Sequence, residues 1–218
     1  MIAMSVAERK EREKEQRRND IIDAAEKLFF ARKFDDVSMD DIAKAVELSR
    51  ATLYLYFEDK ETIYFAVILR GILIMEEIYN EILRKNTTGV DTLSAIGHAF
   101  IKFHAEHADY YRLFQYAPSQ RFEECDNRYL REINETMSGM LKTMCWGIKR
   151  GIDDGTIRKE LHPIETAIFL MSSTENALNI GPNMKKRLEE QGISHEQYVG
   201  HCMKLMGYAI TNENSNRV

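Results

Sequence analysis

Residues 50–57 read Arg-Ala-Thr-Leu-Tyr-Leu-Tyr-Phe, and Lys60 follows two acids later. The string brings together one guanidinium, three hydroxyls on Thr52, Tyr54 and Tyr56, and an ammonium. These groups bind polar partners rather than break bonds. On a helical wheel at about 100° per residue, with Leu53 at zero, Phe57 falls at about 40° on the same side. Ala51 and Leu55 fall at ~160° and ~200°, directly opposite, with Tyr54 on a flank at ~100°. A solvated face should carry Lys, Glu and Gln, whereas this one carries a small residue, an apolar one and phenols. Such a face fits the major groove of a duplex. Ala51 permits close approach and Leu55 can lie on a thymine methyl. Arg50 can pair with guanine acceptors or phosphate, and the Thr52, Tyr54 and Tyr56 hydroxyls can reach phosphate oxygens. Lys60 adds a positive charge at the start of the next helix. The competing reading turns both tyrosines into a core.

Three helices must position these groups. Ile21, Ile22, Ala25, Leu28 and Phe29 recur at helical spacing and predict a first helix from about 17 to 33. Residues 34–37 then turn. Ser38 is a suitable N-cap with Asp41 three residues on, and Ile42, Ala43 and Val46 point inward from a short second helix. Glu47 and Leu48 turn the chain, and Ser49 caps the third helix, which ends near Phe57. Two short helices joined by a tight turn have the shape of a helix-turn-helix. Asp59 can cap a long fourth helix over 60–86.

Residues 21–61 resemble the DNA-binding domain of a TetR-family transcriptional regulator. The matching positions are Ile21-Ile22, Ala24-Ala25, Leu28-Phe29, Phe34 and Ser38 to Ala43. They continue with Ser49, Thr52, Leu53, Tyr54, Tyr56, Phe57, Lys60 and Glu61. The resemblance implies a homodimer placing two third helices in successive major grooves of a palindromic operator. It implies base contacts from Arg50, Ala51 and Leu55, backbone contacts from Thr52, Tyr54, Tyr56 and Lys60, and a phosphate near Ser38 and Met39. Two positions depart from the family pattern, which usually has glycine where this chain has Lys33 and Glu47. Either those residues take a positive φ at a cost of about 1 kcal/mol, or the turns differ.

Composition bounds the rest. The 218 residues are 44% hydrophobic, with three prolines and a net charge of −5. An all-α fold follows, with no global attraction for phosphate. Residues 1–62 hold twelve Lys or Arg against fifteen Asp or Glu, so DNA affinity rests on few placed contacts. Residues 8–18 alternate acids and bases and predict a frayed helix or disordered arm, with a DNA-reaching arm as the second reading, weakened by its glutamates. Three widely spaced cysteines argue for a reducing compartment, and no apolar run is long enough to span a bilayer. A cytoplasmic protein without membrane contact is expected. No Gly-rich phosphate loop, G-x-S-x-G or Cys–His pair suggests an enzyme. His98, His104 and His107 cannot converge from one straight helix, so neither metal nor cofactor is expected.

The expected organisation is a charged arm over 1–16, the helix-turn-helix domain over 17–62, a helical effector-binding and dimerisation domain over 63–212, and a disordered tail over 213–218. Further helices are predicted over about 91–106, to 116, 121–151, 163–180 and 195–211, with a charged linker between the last two. Gly151 and Gly155 flank a turn. Two amphipathic stripes suit a dimer interface: Ile164, Ile168, Met171 and Leu178 on one helix, and Tyr198, Cys202, Leu205 and Ala209 on the other. Glu175 falls within the first stripe and needs a partner, a pocket or a wet interface. His98, Phe103, His104, Tyr111, Phe114, Met140, Trp146, Met171 and Glu175 could line a pocket for an amphipathic or aromatic effector. The expected function is a ligand-responsive repressor; the alternative is a helical dimer using its helix-turn-helix to bind protein.

Overall fold

The computed structural model describes residues 5–85, 87–116 and 126–212. Cys125, Pro118, the expected helix start at 121 and the 213–218 tail lie outside the described residues. Among those described there is no strand, only an isolated bridge between Ile157 and Thr211. No described helix is long and apolar enough to cross a membrane.

The helices are α1 Val6–Ala31, α2 Met39–Ala45, α3 Arg50–Tyr54, α4 Lys60–Leu83, α5 Gly89–Glu106, α6 Ala108–Tyr116, α7 Arg128–Asp153, α8 Pro163–Leu178, α9 Pro182–Glu190 and α10 His195–Ile210. A 3₁₀ turn, Phe34–Asp36, follows α1. Their starts obey capping chemistry. The Ser38 hydroxyl accepts from Asp41 N–H while the Asp41 carboxylate accepts from Ser38 N–H, a reciprocal capping box. The Ser49 hydroxyl accepts from Thr52 N–H at 3.1 Å, and the Asp59 carboxylate accepts from Thr62 N–H at 2.7 Å. Three elements refine the sequence reading. The charged arm takes the helical of its two expected states, from Val6, where Ser5 and Glu8 form a capping box. The 34–37 turn is a 3₁₀ turn, and the charged linker contains α9, begun by Pro182 at a helix start.

The chain forms two compact units, 1–74 with 107–135, and 75–106 with 136–218. The helix-turn-helix therefore belongs to a body that also contains the first half of α4 and all of α6. Its core joins Ile21, Ala25 and Phe29 of α1, Ile42 of α2, Leu53 and Phe57, and Ile63 to Ile68 of α4. The Tyr64 ring meets Phe29 and Phe34 edge-on at 5.1 and 4.8 Å, and its hydroxyl donates to Leu113 O at 2.8 Å. Burial pushes that phenol's pKa up.

In the second unit α8 and α10 pack together over Ala177, Leu178 and Val199, with Phe100 and Ile101 of α5 against them. The start of α5 lies so close to α7 that a Cβ on Gly89 would stand 2.1 Å from Gly151 N. Gly155 takes φ +80 in the following turn, a conformation that favours glycine. Asp154 completes the join by accepting from Gly89 N–H at 2.7 Å.

Candidate nucleic-acid interface

Leu53 and Phe57 are buried, and α3 packs on α2. The opposite face is open: Leu55 is 78% exposed, Tyr54 is 42% exposed, and Ala51 and Arg50 are exposed beside them. Thr52 and Tyr56 are half-buried. The wheel's division into inward and outward faces therefore holds in three dimensions. A solvent-facing leucine opposite a fully buried one gains little from folding.

The polar groups are preorganised. Arg50 faces Asp40 of α2 at 3.5 Å and reaches Tyr54 Oη at 3.4 Å, lying 5.6 Å from that ring's centroid. The Tyr54 hydroxyl and the Asp40 carboxylate both favour its charged form. The Ser49 and Thr52 hydroxyls are 2.8 Å apart. Arg18 of α1 donates to Tyr56 O at 3.3 Å and lies over the Phe57 ring, tying the end of α3 to the first helix.

Two residues expected at phosphates are placed otherwise. Met39 is buried, so its side chain belongs to the core, while Ser38 and Asp40 are exposed at that helix start. Lys60 directs its ammonium inward, donating to Phe34 O at 2.7 Å and Val37 O at 2.6 Å, 4.1 Å from the Phe34 ring centroid. Phe34 O also accepts the 3₁₀ bond from Val37 N–H at 3.3 Å, and the lysine adds a charged donor to it and to Val37 O. The two missing glycines part company. Lys33 is extended at φ −67, while Glu47 takes φ 55 in the turn between α2 and α3.

α6 grips the same unit, which the sequence reading did not foresee. Tyr110 donates to Glu26 at 2.6 Å, and burial first, then this bond, push its phenol pKa up. Arg112 donates to Phe30 O at 2.7 Å at the end of α1, and Tyr116 to Asp35 at 2.8 Å. Arg70 of α4 adds an ion pair with Asp23 at 2.6 Å. The only sequence signal was a run of aromatics after α5, which fits a pocket equally well.

The expected effector residues differ in exposure. Phe103 and Tyr111 are buried, and His104, Phe114 and Met140 are half-buried. His98, Trp146, Met171 and Glu175 are exposed. His98 bonds back to Ser94 O in its own helix at 2.7 Å, and Trp146 stacks with Arg150. Among the described residues no group of three His, Cys, Asp or Glu could hold a metal.

The two terminal stripes also divide. Leu178 is buried and Tyr198 and Cys202 pack on the unit's own core. Ile164, Ile168, Met171, Leu205 and Ala209 face outward. Phe169 at 49% and Tyr208 at 63% exposure widen that face, and the stripe analysis missed both because each lies one step off its chosen arc.

Comparison with known proteins agrees with this geometry. Residues 21–67 match the family described as bacterial regulatory proteins, tetR family. An HTH-type transcriptional regulator of Mycobacterium tuberculosis is 48% identical over 50 residues, which is 23% of this chain and 25% of that protein. The biofilm operon icaADBC HTH-type negative transcriptional regulator IcaR of Staphylococcus aureus is 46% identical over 44 residues, 20% of this chain and 24% of its own. The matches thus span about a quarter of each curated relative. The fold of AibR, solved with isovaleryl coenzyme A and operator DNA, covers 87% of this chain and 97% of its own. Its TM-score is 0.64 at 17% identity.

Proposed function

We propose that this chain, a TetR-family protein by its helix-turn-helix domain, is a transcriptional repressor that binds a palindromic operator as a homodimer and releases it on binding a small-molecule effector. The exposed Ala51–Leu55 face of α3, bordered by Arg50 and Tyr54, carries the reading. Leu55 and Ala51 meet base edges, Arg50 reads guanine or a phosphate, and Ser38, Thr52 and Tyr56 hold the backbone. The outward faces of α8 and α10 pair with their copies as a four-helix bundle. The repressor assignment draws on IcaR, a negative regulator by name. The effector assignment draws on AibR, whose structure holds a coenzyme A thioester beside DNA. An amphipathic effector suits the Met- and aromatic-rich helices beyond α4.

Release is a linkage effect: an effector lowers operator affinity only as far as it prefers the conformation that spaces two α3 helices wrongly. α6 is the natural lever, since Tyr110, Arg112 and Tyr116 join it to α1 and the 3₁₀ turn. Selection of the purified protein on a random duplex pool tests the reading. Enrichment of a palindrome is expected. No enrichment at low salt, including after unfolding and refolding to strip ligand, would replace it with the protein-interaction module.

A further inference from the structure

α1 continues well beyond the body it packs on. Its buried residues begin at Ile21, whereas Val6 to Arg17 are exposed throughout. Those twelve residues form about three turns, roughly 18 Å of free-standing helix. Such a helix has no apolar face to hold it.

Four of its six bases share one arc. With Glu8 at zero on a wheel, Arg17, Lys10, Lys14 and Arg18 fall at ~180°, ~200°, ~240° and ~280°. Glu11, Glu15 and Glu8 gather in the next arc, from ~300° round to the starting point. Arg12 and Arg9 fall apart from the basic arc at ~40° and ~100°. Arg9 is paired with Glu13 at 3.3 Å, while among the described residues Lys10 and Lys14 stand in no ion pair.

The contacts of α1 orient the basic row. Arg17 borders a shallow groove with Ala45, Val46 and Glu47, the end of α2 and its turn. Arg18 bonds to Tyr56 O just past α3, with its Nε buried and unpartnered. Lys10 and Lys14 lie angularly between these two residues, on the side of α1 that faces the helix-turn-helix.

We propose that Lys10 and Lys14 are a second DNA-contacting surface, which engages backbone phosphates flanking the half-site read by α3. The proposal rests on the reading of α3 as the DNA-recognition helix. A row about 10 Å long, from Lys10 to Arg17, faces a polyanion carrying one charge per roughly 1.7 Å of axis. It supplies local positive charge to a domain whose total is acidic, and it carries no base preference because lysines on phosphate read none.

The test uses the full chain with two duplexes, one ending at the palindrome and one extended by ten base pairs on each side. Binding of wild type and Lys10→Gln/Lys14→Gln is titrated with salt by fluorescence anisotropy. On the extended duplex the double variant should bind about tenfold more weakly, with a salt slope shallower by about 2 per protomer. On the short duplex the two proteins should agree, and Lys10→Arg/Lys14→Arg should match wild type on both. Both lysines are exposed, so thermal stability should not move. Equal losses on both duplexes, or none on either, would overturn the proposal. Wild type failing to bind either duplex would instead overturn the DNA-recognition reading beneath it.

Discussion

Two surfaces of this protein leave apolar side chains in water, and they differ in width and border. The α3 face is narrow: Ala51 and Tyr54 on a five-residue helix with Leu55 at its C-cap, edged by Arg50 and hydroxyls. The α8–α10 face is broad, with Ile164, Ile168, Phe169, Met171, Leu205 and Tyr208 spread over two helices of 16 residues each. A narrow apolar ridge with cationic and hydroxyl borders fits a groove whose walls are phosphate. A broad apolar patch needs a partner that is also apolar. Exposed leucines alone would not separate the two; their neighbours do.

The sharpest way to break this distinction is to put charge on the broad face. Ile168→Asp with Leu205→Asp should convert a dimer to monomer by sedimentation, because two carboxylates per protomer would be buried without partners. Affinity for a full palindrome should then fall by about 100-fold or more, the loss of bivalent engagement, while a single half-site is bound as before. A dimer that survives the double change places the interface elsewhere.

Lys60 and Leu55 divide the first surface from its support. Lys60→Met removes two charge-assisted hydrogen bonds to Phe34 and Val37 carbonyls, and should lower unfolding free energy by about 2–3 kcal/mol in urea titration. Leu55→Ala touches nothing buried. It should leave stability within about 0.5 kcal/mol and weaken operator binding roughly tenfold. If Lys60→Met leaves stability intact yet abolishes binding, its ammonium serves DNA rather than the fold.

The two replaced glycines explain what was legible in the sequence. The pattern around Ser38, Ser49 and Leu53 fixes caps and buried positions through local rules, and those positions were read correctly. At Lys33 and Glu47 the family pattern predicted two strained turns or two altered ones, and one of each is found. Backbone at a turn answers to what packs on both sides, which local rules do not see. The inward course of the Lys60 ammonium was not legible for the same reason: its partners are 23 and 26 residues away. The second unit was legible as helices but not as a site, since an apolar stripe does not say whether it covers its own core or a copy. Glu47→Gly tests the turn. It should raise stability by about 1 kcal/mol, the relief of a left-handed non-glycine residue less the added freedom of the unfolded chain. An unchanged or lower melting temperature would mean Glu47 makes a compensating contact.

The smallest effect separates the interior of the second unit from both surfaces. Burial, then the nearby His195 and Lys185, hold the His104 imidazole below its ordinary pKa. The folded state therefore resists a proton that the unfolded chain accepts. Above the ordinary imidazole value of about 6.5 both states are neutral there and the group is silent. As pH falls below that value the unfolded chain binds the proton first, so stability declines until the folded pKa is passed, and then levels. His104→Gln should flatten that part of a melting-temperature profile and leave the profile above neutrality unchanged. It should not alter the dimer or the operator affinity at neutral pH. A variant that keeps the full acid decline would mean that the imidazole is already solvated in the folded protein. One that lost effector response without losing stability would make His104 part of the effector site rather than of the core.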